Sequence, residues 1–349
     1  MKKLCLVGVC VFILGLLIGG VMPAIASSSK DVAAFYKGKV VNLVVPFKAG
    51  GGIDNFARLV APHLGRYLDA TVVVKNVPGG GGKYGLNQIY KAKPDGLTIA
   101  TADTGSLILS QLFKEPGVQY DYKNFIWLAR LSWGKRAILV GKNSPYKTFQ
   151  DLMAAKMIKA PSTSKTDGAA MTWALLAHYL DIPPERITMV PGYGGGKQIM
   201  MSTMQGETDS ASLTEDTAFK FSKGGMVRVL LTVDKERSDF FPEIPTNYEF
   251  MKAPKEREWP LATYLSLQKL RRCLVTSPGV SADKVAFLRG ILNKCLADKD
   301  LLADAKKQKR PIIPLSGQEM EKEITEKIGK LSEKQLKEFA HIALEKYHK

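Results

Sequence analysis

The feature that most constrains this chain is a strand that runs into three glycines and then into a helix. Val40-Val41-Asn42-Leu43-Val44-Val45 is a β-branched run stopped by Pro46, and Phe47-Lys48-Ala49-Gly50-Gly51-Gly52-Ile53 leads to Asp54. Across 54–68 the apolar residues Phe56, Leu59, Val60, Leu64, Tyr67 and Leu68 recur at helical spacing. Thr71-Val72-Val73-Val74 reads as a second strand, followed by a glycine-rich loop and a helix over 84–92. Pro94-Asp95-Gly96 then turns into a third strand over 97–101. Strands alternating with helices in this way predict an α/β fold with a mostly parallel sheet covered on both faces.

The pattern resumes further on. A strand over 137–140 precedes a helix over 148–159 opened by a Thr148 cap, and a helix over 169–180 leads to a strand at 187–190. Pro191-Gly192-Tyr193-Gly194-Gly195-Gly196 repeats the glycine turn before a helix over 197–204, with strands at 210–213 and 227–232. Residues 242–260, rich in Pro and charge, read as a connector; a strand at 272–276 and a helix over 281–297 follow. The tail from Gln318 is rich in Lys and Glu at helical apolar spacing, while 27–39 reads as an exposed lead. At 349 residues the chain is long enough for two domains.

The turn at Gly50-Gly51-Gly52 carries the chemistry. Glycines let backbone approach a ligand, and the helix that follows presents unpaired N–H groups and the positive end of its dipole. Such a turn receives a carboxylate as readily as a phosphate, whether or not Asp54 also acts as the N-cap. Gly80-Gly81-Gly82-Lys83-Tyr84-Gly85 satisfies G-x-G-x-x-G and has Asp103 18 residues beyond it. It falls after the second strand with Pro78 interrupting its approach, so an exported dinucleotide-binding enzyme is the lesser alternative. Neither Gly82-Lys83 nor Gly196-Lys197 completes a phosphate loop. No H-E-x-x-H, paired C-x-x-C or G-x-S-x-G occurs, so no catalytic residue, metal ligand or cofactor is assigned. His63 and His178 read as surface or satisfied core residues, and the four tryptophans as core.

The first 26 residues address the chain. Lys2 and Lys3 precede an uncharged apolar run over 4–21, and Pro23-Ala24-Ile25-Ala26 offers small residues for cleavage before Ser27. That is the layout of a secretory signal peptide and predicts a periplasmic protein. The alternative is an uncleaved anchor, since about 18 apolar residues can just span a bilayer. Cleavage removes two lysines from the formal charge of +17, and export argues against nucleic acid as the partner of the remaining excess. It leaves Cys273 and Cys295, either as one disulfide or as two separate buried thiols. Four cysteines in all exclude a disulfide-built scaffold, and 45% apolar with 24% charged residues excludes disorder.

Three stretches together resemble a known family: VNLVVPFKAGGGIDNFAR (41–58), VVVKNVPGGGGKYG (72–85) and PDGLT (94–98). With Val190-Pro191-Gly192-Tyr193-Gly194-Gly195-Gly196 and FPEIPT (241–246), they resemble the substrate-binding proteins of tripartite tricarboxylate transporters, the Bug or TctC family. The resemblance implies a type II periplasmic binding protein, two α/β lobes joined by crossover strands with one ligand in the cleft. It implies residues 27–132 as the first part of lobe 1, 133–248 as lobe 2, and 249–349 as the return to lobe 1 plus a basic helical tail. The implied ligand is a small carboxylate, passed by a monomeric receptor to membrane permease subunits. A sensing module for a membrane receptor is the alternative.

By carry-over, Gly50, Gly51 and Gly52 would hold one carboxylate through their N–H groups. Asp54 would order that turn and Phe47 would lie against the ligand, with Thr104 and Ser106 adding contacts from the same lobe. Ser162, Thr163, Gly168, Tyr193, Thr214, Glu215 and Asp216 would complete the site from the other lobe. The sequence departs from the family pattern at Lys165 and Asp167, and at the glycine inserted before Tyr193.

Overall fold

The computed structural model describes residues 29–348, so the segment read as a signal peptide lies outside the described residues. Eleven strands are present among the described residues: β1 (Val40–Val45), β2 (Thr71–Asn76), β3 (Thr98–Ala102), β4 (Ile126–Arg130), β5 (Arg136–Gly141), β6 (Ile158–Pro161), β7 (Ile187–Val190), β8 (Ala211–Thr214), β9 (Val227–Val233), β10 (Cys273–Thr276) and β11 (Leu315–Ser316). They form two lobes.

The first lobe is a six-stranded sheet in the order β11-β4-β10-β3-β1-β2. β1 pairs in parallel with β2 and β3, whereas β10 runs antiparallel to both β3 and β4. The sheet is therefore mixed rather than mostly parallel. The reason is that β10 enters from the far end of the chain, after the second lobe has been built, and needs no crossover helix to reach its slot. Along β1 the period-two alternation sorts side chains to two cores: Val41, Leu43 and Val45 pack with Phe56, Val60 and Leu64 of the helix Gly52–Leu68, and Val44 faces the other side.

In the second lobe β5 pairs antiparallel with β8 and β9, and β6 pairs in parallel with β7. The amides of Asp209 and Ser210 both donate to the Lys159 carbonyl, which sets β6 beside the start of β8. One buried cluster runs on without a break from Val44, Ala100 and Trp127 of the first lobe to Ile138, Trp173 and Leu230 of the second.

Several expectations are corrected by this packing. The stretch taken as an exposed lead contains the helix Ser29–Tyr36, whose Val32 and Tyr36 are buried, with Tyr36 stacked on Phe287. The helix at Thr148 has its cap, a reciprocal box with Asp151, but ends at Ala154, and 158–161 becomes β6. The connector at 242–260 runs into the helix Lys255–Gln268, whose Leu261 and Tyr264 sit in the core between the lobes. Cys273 lies on β10 and Cys295 on the helix Ala282–Leu296, in different cores, so the two are separate buried thiols.

Candidate functional site

The first glycine turn is held from behind. Asp54 is the third residue of the helix Gly52–Leu68 rather than its cap, a position taken by Gly51 with no side-chain bond. The Asp54 carboxylate accepts the Gly50 amide at 2.8 Å, Arg58 Nε at 3.0 Å and Asn76 Nδ2 at 2.8 Å, and Asn76 Nδ2 also donates to the Phe47 carbonyl. Burial alone would raise the Asp54 pKa. The hydrogen bonds from Arg58, Gly50 and Asn76 outweigh it and hold the carboxyl below its ordinary value. Gly50, at φ +86°, is thus spent on shaping the turn. The first intrahelical bond is donated by Asn55 to the Gly51 carbonyl, which leaves the amides of Gly52, Ile53 and Asp54 ahead of it.

The second lobe closes over this turn. The Lys48 amide donates to the Gly194 carbonyl at 3.1 Å, and a Cβ on Gly51 would lie 3.7 Å from the Gly196 amide nitrogen. Ser106 Oγ donates to the Thr166 carbonyl at 2.9 Å, and Ser110 Oγ lies 2.8 Å from Thr166 Oγ1. Gly81, at φ +68°, abuts Ser164, where any Cβ would overlap that side chain. The loop that imitates a dinucleotide fingerprint is therefore filled by the opposite lobe, and no room remains on it for a pyrophosphate.

Between the lobes, among the described residues, is a half-open cavity. Phe47, Gly51, Gly52, Asp54 and Ser106 line it from the first lobe, and Thr163, Gly168 and Thr214 from the second. These eight were expected from sequence and the fold gathers them. About 90 Å³ is open to the centre of a water-sized molecule, against roughly 10–15 Å³ for a single water. That suits a small organic molecule and is far too little for a dinucleotide.

Sequence reasoning missed three arginines. Arg136, the first residue of β5, and Arg271 and Arg272, which lead into β10, all line the cavity and all are buried. Arg136 donates through Nε to Ser212 Oγ at 3.1 Å and through Nη2 to the Ser212 carbonyl. Burial and the neighbouring Arg271 lower its pKa to about 10, still charged at neutral pH. Arg271 pairs with Asp103, which also accepts the Ser106 amide. Arg272 sits at φ +56°, a left-handed conformation unusual for a side chain of this size, and lies 4.4 Å from the Phe56 ring centroid. It reaches across to the second lobe, donating to Thr214 Oγ1 and Asp216 Oδ1, each at 2.6 Å. The available signal was a charged residue at the mouth of an otherwise apolar strand, twice over.

Six expected residues do not line the cavity: Gly50, which shapes the turn, and five more. Thr104 Oγ1 donates to the Leu270 carbonyl at 2.7 Å, fixing the residue before Arg271 instead of facing the cavity. Ser162 acts through its backbone, its amide donating to Val190 and its carbonyl accepting from Tyr193. The Tyr193 hydroxyl donates to Glu207 Oε1 at 3.0 Å, and the residue does not line the cavity. Glu215 is taken by the Lys135 amide at 2.9 Å and Ser238 Oγ at 2.6 Å. Asp216 lies behind the cavity wall, held by Arg272 and by Arg310 Nη1 at 3.3 Å. Asp167, a departure from the family pattern, lines the cavity: its carboxylate caps the helix Gly168–Tyr179 through Ala169 and Ala170 and accepts the Thr163 amide at 2.6 Å. Among the described residues no group of three His, Cys, Asp or Glu side chains gathers that could hold a metal ion.

Residues 56–263 match the family described as tripartite tricarboxylate transporter family receptor. A UPF0065 protein from Agrobacterium vitis, of the TAR-I ttuE-ttuC' intergenic region, is 30% identical over 240 residues, 67% of each chain. Among solved structures, the periplasmic binding protein BugD superposes with a TM-score of 0.70 at 22% identity, over 88% of this chain and 97% of its own. The R. palustris protein Rpa4515, solved with adipate, superposes with a TM-score of 0.71 at 20% identity, over 87% and 98%. At those identities the two structures establish the two-lobed binding-protein fold.

Proposed function

The chain belongs to the receptor family of the tripartite tricarboxylate transporters, a family of solute-binding proteins rather than enzymes, and from that premise we propose that it captures a small carboxylate in the interlobe cavity. The observation that carries this is the convergence of unpaired helix-start amides at Gly52–Asp54 with three buried arginines around a cavity of small-acid size. Oriented N–H groups and guanidiniums favour an anion over a neutral solute. An amino acid is disfavoured, because an ammonium group needs a free acid. Asp54, Asp103, Asp167 and Asp216 are each already bound to protein donors.

In this reading the chain is exported, works as a monomer in the periplasm and passes its ligand to permease subunits in the membrane. The first lobe takes 27–132 and the return from 249, and the second takes 133–248. The grouping of β1–β4 with β10 and β11, and of β5–β9 apart from them, supports that division.

A thermal-shift screen of the chain from Ser27 against mono-, di- and tricarboxylates, with NAD alongside, tests the reading. Saturable stabilisation by at least one carboxylate and none by NAD is expected. No response to any carboxylate would overturn it.

A further inference from the structure

Resting on the carboxylate reading, we infer that Arg136 and Arg271, beside Gly168 on the cavity wall, build a second anion subsite, so that the ligand is a dianion with an acid group at each end. The two guanidiniums converge on one point. A Cβ placed on Gly168 would lie 3.0 Å from Arg136 Nη1 and 3.3 Å from Arg271 Nη2, so the missing side chain at Gly168 is what lets both reach the cavity wall. Both side chains line the cavity and both are more than nine-tenths buried. Arg271 spends Nη2 on Asp103, while its Nε and Nη1 find no hydrogen-bond partner among the described residues. Nη1 of Arg272 is likewise buried without one.

Buried guanidinium N–H groups left without acceptors are costly, and their neighbours do not neutralise them. Arg136, Arg271, Arg272 and Arg310 face only three acids, Asp103, Asp167 and Asp216, and Asp167 is already engaged by three backbone amides. The set therefore keeps a net positive charge away from water. The amides at Gly52–Asp54, with Arg272 Nη2 4.0 Å from where a Gly52 Cβ would stand, are placed for one carboxylate. The Arg136–Arg271 pair offers a fixed fork of donors for another, and a guanidinium fork fits a planar carboxylate by two parallel bonds. A ligand with a single acid group satisfies one end and leaves the other guanidiniums desolvated, so discrimination arises from the unmet donors.

The test is calorimetric titration with unbranched α,ω-dicarboxylates of four to six carbons and with the mono-amide of each. The wild-type chain should bind at least one diacid about 30-fold or more tightly than its mono-amide, as expected for a buried charge left without its partner. In Arg136→Gln, and separately in the double variant Asp103→Asn/Arg271→Gln, that preference should fall to within about threefold. Circular dichroism and a cooperative thermal transition report that each variant is folded. Should one variant fail to fold, the other reads the same subsite. Equal binding of diacid and mono-amide by wild type, or a preference unchanged in both variants, overturns the second subsite and leaves the carboxylate reading standing. If wild type binds neither probe nor any other carboxylate, both readings fall.

Discussion

Asp216 offers a measurement of how firmly the lobes are tied. It enters from the helix after β8, in the second lobe, and is 3% exposed. Arg272 and Arg310 meet it from the chain flanking β10 and β11, in the first. Asp216→Asn keeps the shape and removes the charge, leaving two buried guanidiniums facing an amide. Breaking a buried pair in this way costs about 3–5 kcal/mol. With an unfolding entropy of about 2.1 cal/mol/K per residue over roughly 320 residues, that lowers Tm by about 4–7 °C. Burial opposes ionisation of Asp216, but Arg272 and then Arg310 outweigh it and hold the carboxyl below its ordinary value. Its stabilisation is therefore complete above the unfolded carboxyl pKa of about 4 and is lost only as pH falls through the lower folded value. Scanning calorimetry of both proteins should give a Tm gap that is constant from about pH 7 to pH 5 and closes in stronger acid. A gap under about 1 °C at neutral pH, or one that narrows between pH 7 and 5, refutes a buried interlobe charge.

Closure can be probed at Gly81, where φ is +68° and a Cβ would overlap Ser164. Gly81→Ala should weaken carboxylate binding at least tenfold by titration, while Gly117→Ala, at φ +86° with open space around it, should carry only the backbone penalty of about 1 kcal/mol and leave affinity unchanged. Burial pushes the Cys273 and Cys295 thiols up to about 12. The chain from Ser27 should therefore show no thiol reactive to Ellman's reagent when native and two when unfolded, with a Tm indifferent to reductant. His178 and His348 are lowered to about 4, chiefly by burial and then by Lys346 and Lys165 respectively. The unfolded chain takes up those protons below about pH 6.5 and the folded chain does not, so Tm should fall between about pH 6.5 and 4. The double variant His178→Gln/His348→Gln should flatten that limb of the Tm-against-pH curve.

The first lobe was legible because its information is local. β1, the Gly50–Gly52 turn and the helix behind it follow one another in the chain, and their side-chain period is enough to place them. What was not legible depends on the return of the chain. Nothing in Cys273-Leu274-Val275-Thr276 says that this strand enters antiparallel between β3 and β4. That slot exists only once the second lobe has been made. Helix Lys255–Gln268 failed for a different reason. Pro260 and the charged residues around it suggest a linker, yet Pro260 is buried in the helix beside Leu261 and Tyr264, between the lobes. Tertiary burial there outweighs the penalty that a mid-helix proline imposes.

The same division runs through the site. Of the residues expected at the site, the cavity wall takes Gly51, Gly52 and Gly168 together with Phe47, Asp54, Ser106, Thr163 and Thr214. Those it leaves out include acids and hydroxyls that occupy the right loops but are taken up by protein partners. Glu215 and Asp216 follow β8 as expected, but each already has donors supplied from more than 20 residues away, and a carboxylate so engaged has nothing left for a ligand. The arginines invert the case. A net charge of +17 reads as a surface property, to be spread over solvent and screened by salt. Arg136, Arg271 and Arg272 are instead withdrawn from water into the wall of the cavity between the lobes, where each charge acts at short range and low dielectric. In the carboxylate reading the few charges placed there select the ligand, and the rest of the excess lies outside the cavity.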